Sequence, residues 1–135
     1  MPIAYTTEPD LTAKEFIDLL NRSGLAARRP VDEPERIAEM VQFASLMLCA
    51  RDGDKLVGIA RAVTDFSFCC YLSDLAVDKA YQGQKIGQEL MRLTHEASGG
   101  GRVTFLLLEA PTAAGYYGHV GFEKASNAWL IARKI

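Results

Sequence analysis

The stretch from Phe68 to Leu108 constrains this chain more than any other part of it. It reads as an apolar strand ending at Val77, a short polar turn, a helix over Gly83–Ala97 and a second apolar strand over Val103–Leu108. Ile86, Leu90, Leu93 and Ala97 recur at helical steps, while Lys85, Gln88, Glu89, Arg92 and Glu96 take the other side. Gly99-Gly100-Gly101 stops the helix. Two strands joined through a helix of this length pair in parallel, and such crossovers are right-handed almost without exception. The fold is therefore expected to hold a parallel pair with a helix packed on one face.

The remaining segments add antiparallel structure. Met1 to Glu8 is compatible with a strand, and Asp10 and Thr12 offer caps for a helix over Ala13–Arg22. Phe16, Leu19 and Leu20 fall on one side of it, and Gly24 ends it. Leu25 to Glu33 reads as a loop whose Arg28, Arg29, Asp32 and Glu33 are expected to be solvated. Pro34 suits a helix start, and Ile37, Met40, Val41 and Ala44 follow at helical spacing. The period then changes. Leu46–Ala50, the turn Asp52-Gly53-Asp54 and Leu56–Val63 form a hairpin signal. Pro111–His119 reads as a short helix or turn, and Phe122–Lys124 with Ala128–Ile135 as a closing hairpin. The expected order is β-α-α-β-β-β-α-β-α-β-β in one domain over residues 1–135. This is an α/β chain with a mixed sheet and helices on both faces.

Composition excludes several function classes. The formal charge is −2, from 15 basic and 17 acidic side chains, which argues against nonspecific nucleic-acid binding. No apolar run approaches the ~20 residues that span a membrane, and Met1-Pro2-Ile3-Ala4 does not read as a secretory leader. Cys49, Cys69 and Cys70 lie in apolar runs and form no Cys-x-x-Cys pair, and only His95 and His119 could join them on a metal. Buried, reduced thiols in a cytoplasmic protein without a metal are the expectation.

The chemistry is expected where the strand meets the helix. A helix start leaves backbone N–H groups without partners and concentrates partial positive charge there, so it can cradle a phosphate or pyrophosphate. Gly83 and Gly87 let an anion approach the backbone, while Gln82, Gln84 and Lys85 can add side-chain donors.

This segment resembles the acetyl-coenzyme A binding motif of the GCN5-related N-acetyltransferase (GNAT) superfamily, which reads Gln/Arg-x-x-Gly-x-Gly/Ala after a strand ending in an apolar triplet. Leu75-Ala76-Val77 matches the triplet, Tyr81 the aromatic before the motif, Gln82 its first position and Gly87 its last. Lys85 replaces the first motif glycine, where its ammonium could reach the pyrophosphate. A second match follows about thirty residues on: in Ala113-Ala-Gly-Tyr-Tyr-Gly-His-Val-Gly-Phe122 a tyrosine, Tyr117, precedes the Gly121-Phe122 pair by four residues. With the element order, the resemblance covers nearly the whole chain.

The resemblance implies a GNAT acyl-CoA N-acyltransferase fold in which the strand ending at Val77 splays from Val103–Leu108, with the pantetheine arm in the gap pairing with the backbone of Leu75 and Val77. It implies acetyl-CoA held by Leu75, Ala76, Val77, Gln82, Gly83, Gln84, Lys85, Ile86, Gly87 and Gln88, and direct attack of an amine on the thioester. Tyr117 matches the proton donor to the departing thiolate. No glutamate stands on the strand Tyr71–Val77, so Asp74 or Glu109, directly or through water, is the candidate base. Tyr116 reads as packing. The acceptor is expected to be a small-molecule amine, since the chain carries no added recognition domain, and a homodimer is left open. Two other readings compete: an acyl-CoA-binding sensor or partner module without turnover, favoured by Lys85 and the missing glutamate, and a binder of another nucleotide, disfavoured by the lack of other phosphate-loop motifs.

Overall fold

The computed structural model describes residues 2–113 and 115–135. Five strands form one sheet in sequence order: β1 (Ala4–Thr7), β2 (Leu46–Asp52), β3 (Lys55–Thr64), β4 (Cys69–Val77) and β5 (Thr104–Leu107). Neighbours from β1 to β4 pair antiparallel, and β4 and β5 are parallel, from Cys69 opposite Thr104 to Leu72 opposite Leu107. The parallel pair expected from the sequence is present.

Among the described residues four α-helices flank the sheet: α1 (Ala13–Ser23), α2 (Pro34–Gln42), α3 (Ile86–Ser98) and the single turn α4 (Tyr116–His119). Thr12 caps α1 by accepting from the Glu15 N–H at 3.1 Å, and Gly24 ends it with φ of 88°. Alternation along the strands supplies two cores. Met47, Cys49, Ile59 and Ala76 meet Phe16, Leu19, Leu20 and Ile37 of α1 and α2. Leu48, Ala50, Val57, Ala60 and Leu72 meet Ile86, Leu90 and Met91 of α3. Gly58 is a contact glycine in this second layer: a Cβ there would stand 3.0 Å from a Leu90 methyl, so α3 sits close on the sheet.

Three expectations are corrected. The closing hairpin does not form: no described residue of 122–135 is in a strand, and β5 is left as the edge. Strand propensity needs a buried face to take effect, and residues 128–135 are all exposed. Trp129 is 97% exposed and Ile131 94%, while the far end is tied by Arg36 Nη2 donating to the Ile135 carbonyl at 3.0 Å. Second, α3 begins at Ile86 rather than Gly83, because Gly83 (φ 85°) and Lys85 (φ 64°) adopt left-handed backbone that cannot continue a helix. Third, Cys69 is exposed, while Cys49 and Cys70 are buried, all three as free thiols. Burial pushes the Cys49 thiol up to about 12, which makes it unreactive.

Candidate active site

The groove begins where β4 and β5 part. Their pairing ends at Leu72–Leu107, yet β4 runs on to Val77. The cause is a bulge. Along β3 the register steps from Ala62–Leu72 to Arg61–Asp74, which leaves Ser73 as the extra residue. The bulge also changes which face each side chain takes. Leu72 packs under α3, whereas Ala76, four residues later, packs under α1 and α2.

Backbone direction in the gap follows from one hydrogen bond. The Asp78 N–H donates to the Val57 carbonyl of β3 at 2.8 Å. By two-residue alternation, the backbone groups of Ala76 also face β3, and those of Leu75 and Val77 face the gap. The Val77 carbonyl there accepts from Gln82 Nε2 at 3.0 Å. The Gln82 side chain thereby braces the turn against the end of β4.

The gap leads to the start of α3. No side chain caps this helix, whose N-cap residue is Lys85, so its first N–H groups are open. The left-handed backbone at Lys85 (φ 64°, ψ 19°) explains the glycine usual at this motif position, since a glycine adopts it without strain. Gly83, Gln84, Lys85 and Gln88 are exposed around the turn. Ile86 and Ala76 are buried, so their side chains serve the core and only their backbone is free for a ligand. A Cβ on Gly87 would meet Val77 Cγ2 at 3.8 Å, and Leu75 Cδ2 and Tyr116 Oη at 3.9 Å each. From Lys85 and Gln88 an open groove of about 860 Å³ runs along α3 to His95, walled opposite by Phe105 and the segment from His119 to Glu123. His95 is not a free solvated side chain: its ring stacks on Phe105 at 4.7 Å and 3°.

Both tyrosines of α4 approach this region. Tyr117 packs with the α3-side core, its ring edge-on to Phe122 at 5.7 Å. Burial, then the neighbouring Tyr116 and Glu109, push its hydroxyl above the usual phenol range, so it keeps its proton at neutral pH. Glu109 is exposed just past the end of β5. Tyr116 thus reaches the start of α3, and Glu109 lies close enough to Tyr117 to act on its hydroxyl.

Asp74 does not join them. It is fully buried on the α1/α2 side, where Arg29 Nε donates to one carboxylate oxygen and Arg61 Nε to the other. Arg29 Nη2 also donates to the Ser73 carbonyl at 2.8 Å and Arg61 Nη2 to Ser73 Oγ at 2.9 Å, so both arginines grip the bulge. This corrects one expectation, since Arg29 is not in a solvated loop, and it engages both oxygens of the candidate base Asp74 with cations. Arginine inside the apolar run Leu56–Val63 was the one sequence signal for this cluster; nothing in the sequence marked Ser73 as a bulge or Tyr116 as facing α3. Among the described residues no cluster of histidine, cysteine or carboxylate side chains could hold a metal, and no helix is long and apolar enough to cross a membrane.

The comparisons with known proteins agree with this geometry. No curated protein is similar in sequence at a significant level. Among solved structures, the chain is similar to a probable acetyltransferase from Staphylococcus aureus (TM-score 0.81, 21% identity, covering 99% of this chain and 100% of that one). It is also similar to a GNAT family acetyltransferase from Brucella melitensis in complex with acetyl-CoA (0.70, 20%, 91% and 84%). A third is AAC(6')-Iy with the bisubstrate analog CoA-S-monomethyl-acetylneamine (0.74, 13%, 100% and 100%). At these identities the likeness establishes the fold. The family model described as "Acetyltransferase (GNAT) domain" matches residues 20–129, and with most of its length matched the chain belongs to the GNAT acetyltransferases.

Proposed function

We propose that this protein transfers the acetyl group of acetyl-CoA to an amine of a small molecule, by direct attack within a ternary complex. The observation that carries the proposal is the parting of β4 from β5 beyond Leu72–Leu107, in a gap that ends on the uncapped start of α3. The residues fit the donor. The open N–H groups from Gly83 to Gly87 suit a pyrophosphate, Lys85 adds an ammonium at its edge, and the backbone of Leu75 can pair with pantetheine amides. Bound there, acetyl-CoA supplies an activated thioester. The groove toward His95 and Phe105 has room for its nucleotide end.

An amine acceptor arrives protonated, with a pKa of about 10 when exposed, so a base must take its proton. Glu109 is the carboxylate left free for this task, since Asp74 is committed to two arginines. Tyr117, protonated well past neutral pH, returns a proton to the leaving sulfur. A small-molecule acceptor is supported by AAC(6')-Iy, a neighbour in fold captured with an acetylneamine-derived analog.

The engagement of Asp74 also favours a second reading, a coenzyme A sensor without turnover. Calorimetry with coenzyme A followed by thiol release from acetyl-CoA across a panel of amines separates the two. We expect binding and release with at least one amine. Absence of coenzyme A binding rejects both readings, and binding without acylation of any amine selects the sensor.

A further inference from the structure

Tyr116 and Tyr117 are adjacent on one helical turn and so point roughly 100° apart. Their rings meet edge-on at 5.1 Å, and they cannot do the same work. Tyr117 faces the core with Phe122. Tyr116 is 38% exposed, and its hydroxyl lies over the first turn of α3, 3.9 Å from where a Cβ on Gly87 would stand. Gly115, with φ of 86°, makes the turn that sets α4 in this position.

The surroundings of that hydroxyl point to one kind of ligand. It lies over the first turn of α3, whose uncapped N–H groups can only donate. Those groups offer no acceptor for the phenol's own proton. Donors therefore converge on one small space from two elements, α3 and α4. Methyls of Leu75 and Val77 also border that space. Glycine at position 87 keeps it clear, and it opens on the exposed turn from Gly83 to Lys85.

We propose that Tyr116 is a binding residue of the donor site, its hydroxyl donating a hydrogen bond to the pyrophosphate of acetyl-CoA across the start of α3. This rests on the acetyl-CoA reading above. The two tyrosines then divide the work: Tyr116 holds the anionic middle of the donor, and Tyr117 serves the sulfur.

The test compares wild type and Tyr116→Phe, which keeps the ring and its contacts, in two measurements. Calorimetry gives the affinity for coenzyme A. Steady-state kinetics use acetyl-CoA and acetyl-pantetheine, a donor that lacks the pyrophosphate. A hydrogen bond to a charged group predicts coenzyme A binding weaker by about ten- to a hundredfold. The loss with acetyl-CoA should appear in KM rather than kcat. With acetyl-pantetheine, kcat/KM should match wild type. Three results overturn the proposal: unchanged coenzyme A affinity in Tyr116→Phe, an equal loss with both donors, or a fall in kcat at unchanged affinity, which would give Tyr116 the proton-donor role instead. Failure of the wild type to bind coenzyme A is a different result, since it removes the acetyl-CoA reading itself and this proposal with it.

Discussion

The two walls of the groove are built to different standards. One wall, β4 with α3, is welded into the molecule. β4 pairs with β3 from Cys70 to Val77, α3 buries Ile86, Leu90, Met91, Thr94 and Ser98, and the bulge at Ser73 is clamped from behind by Arg29 and Arg61. The other wall, β5 with α4 and the segment to Ile135, has little of this. β5 pairs over only four residues and on one side, α4 buries no residue completely, and Trp129 and Ile131 stand in solvent. The difference suggests a division of labour. On the function proposed above, the welded wall presents a preformed cradle to the donor, so little ordering is needed on binding there. The light wall carries Glu109 and Tyr117, proposed to act at the reacting ends, and Tyr116, proposed to hold the pyrophosphate. Its few buried contacts make it the part that opens most easily.

The largest expected effect belongs to the light wall and is chemical. Tyr117→Phe should lower kcat by roughly 10²–10⁴-fold, the range for one acid or base group, with acetyl-CoA affinity and thermal midpoint little changed. The acid works only while protonated and its pKa is raised, so the wild-type rate should keep its Tyr117-dependent alkaline limb above pH 10. A limb near pH 8 that persists in the Phe variant would assign it to another group.

Next in size is a stability effect in the welded wall. Asp74→Ala leaves two guanidiniums facing each other in a buried site and should cost about 3–5 kcal/mol, read from urea unfolding. A cost under about 1 kcal/mol, in the range of surface pairs, would mean that water reaches the cluster and the clamp is not a clamp. The third prediction separates the cradle from the core behind it. A side chain on Gly87 would begin with ordinary contacts of 3.8–3.9 Å, so Gly87→Val should change stability by only about 1 kcal/mol, the propensity range for helix residues. Coenzyme A affinity should fall more than tenfold, because the methyls occupy the anion's place. Unchanged affinity would move the pyrophosphate away from α3. The smallest effect is at the far end: Trp129→Ser, at a site 97% exposed, should shift stability by no more than about 0.5 kcal/mol. A clear loss, or a change in oligomeric state, would show that the light wall is covered in solution.

Local signals carried much of this protein. The strand-helix-strand unit, the Thr12 cap, the left-handed Gly24 and the glycine-bearing turn were all readable, because each depends on residues within one turn or strand of one another. The same locality misled at the end of the chain. Ala128–Ile135 has the composition of a strand, but a strand exists only through its partner, and composition names no partner.

What the sequence determined by itself was the order of elements, the parallel pair and the place where an anion can meet a helix start, since these follow from periodicity, glycine and the geometry of a single crossover. What only the tertiary structure decided was how each charged or aromatic side chain is spent. Asp74 looked free until Arg29, 45 residues away, and Arg61, 13 away, were found on its two oxygens. Spacing to Gly121-Phe122 already set Tyr117 apart from Tyr116, which read as packing, but only the tertiary structure laid the Tyr116 hydroxyl over α3. The reason is physical. A side chain's task is set by what lies across from it, and the chain's long-range closure, not its local pattern, brings those partners together.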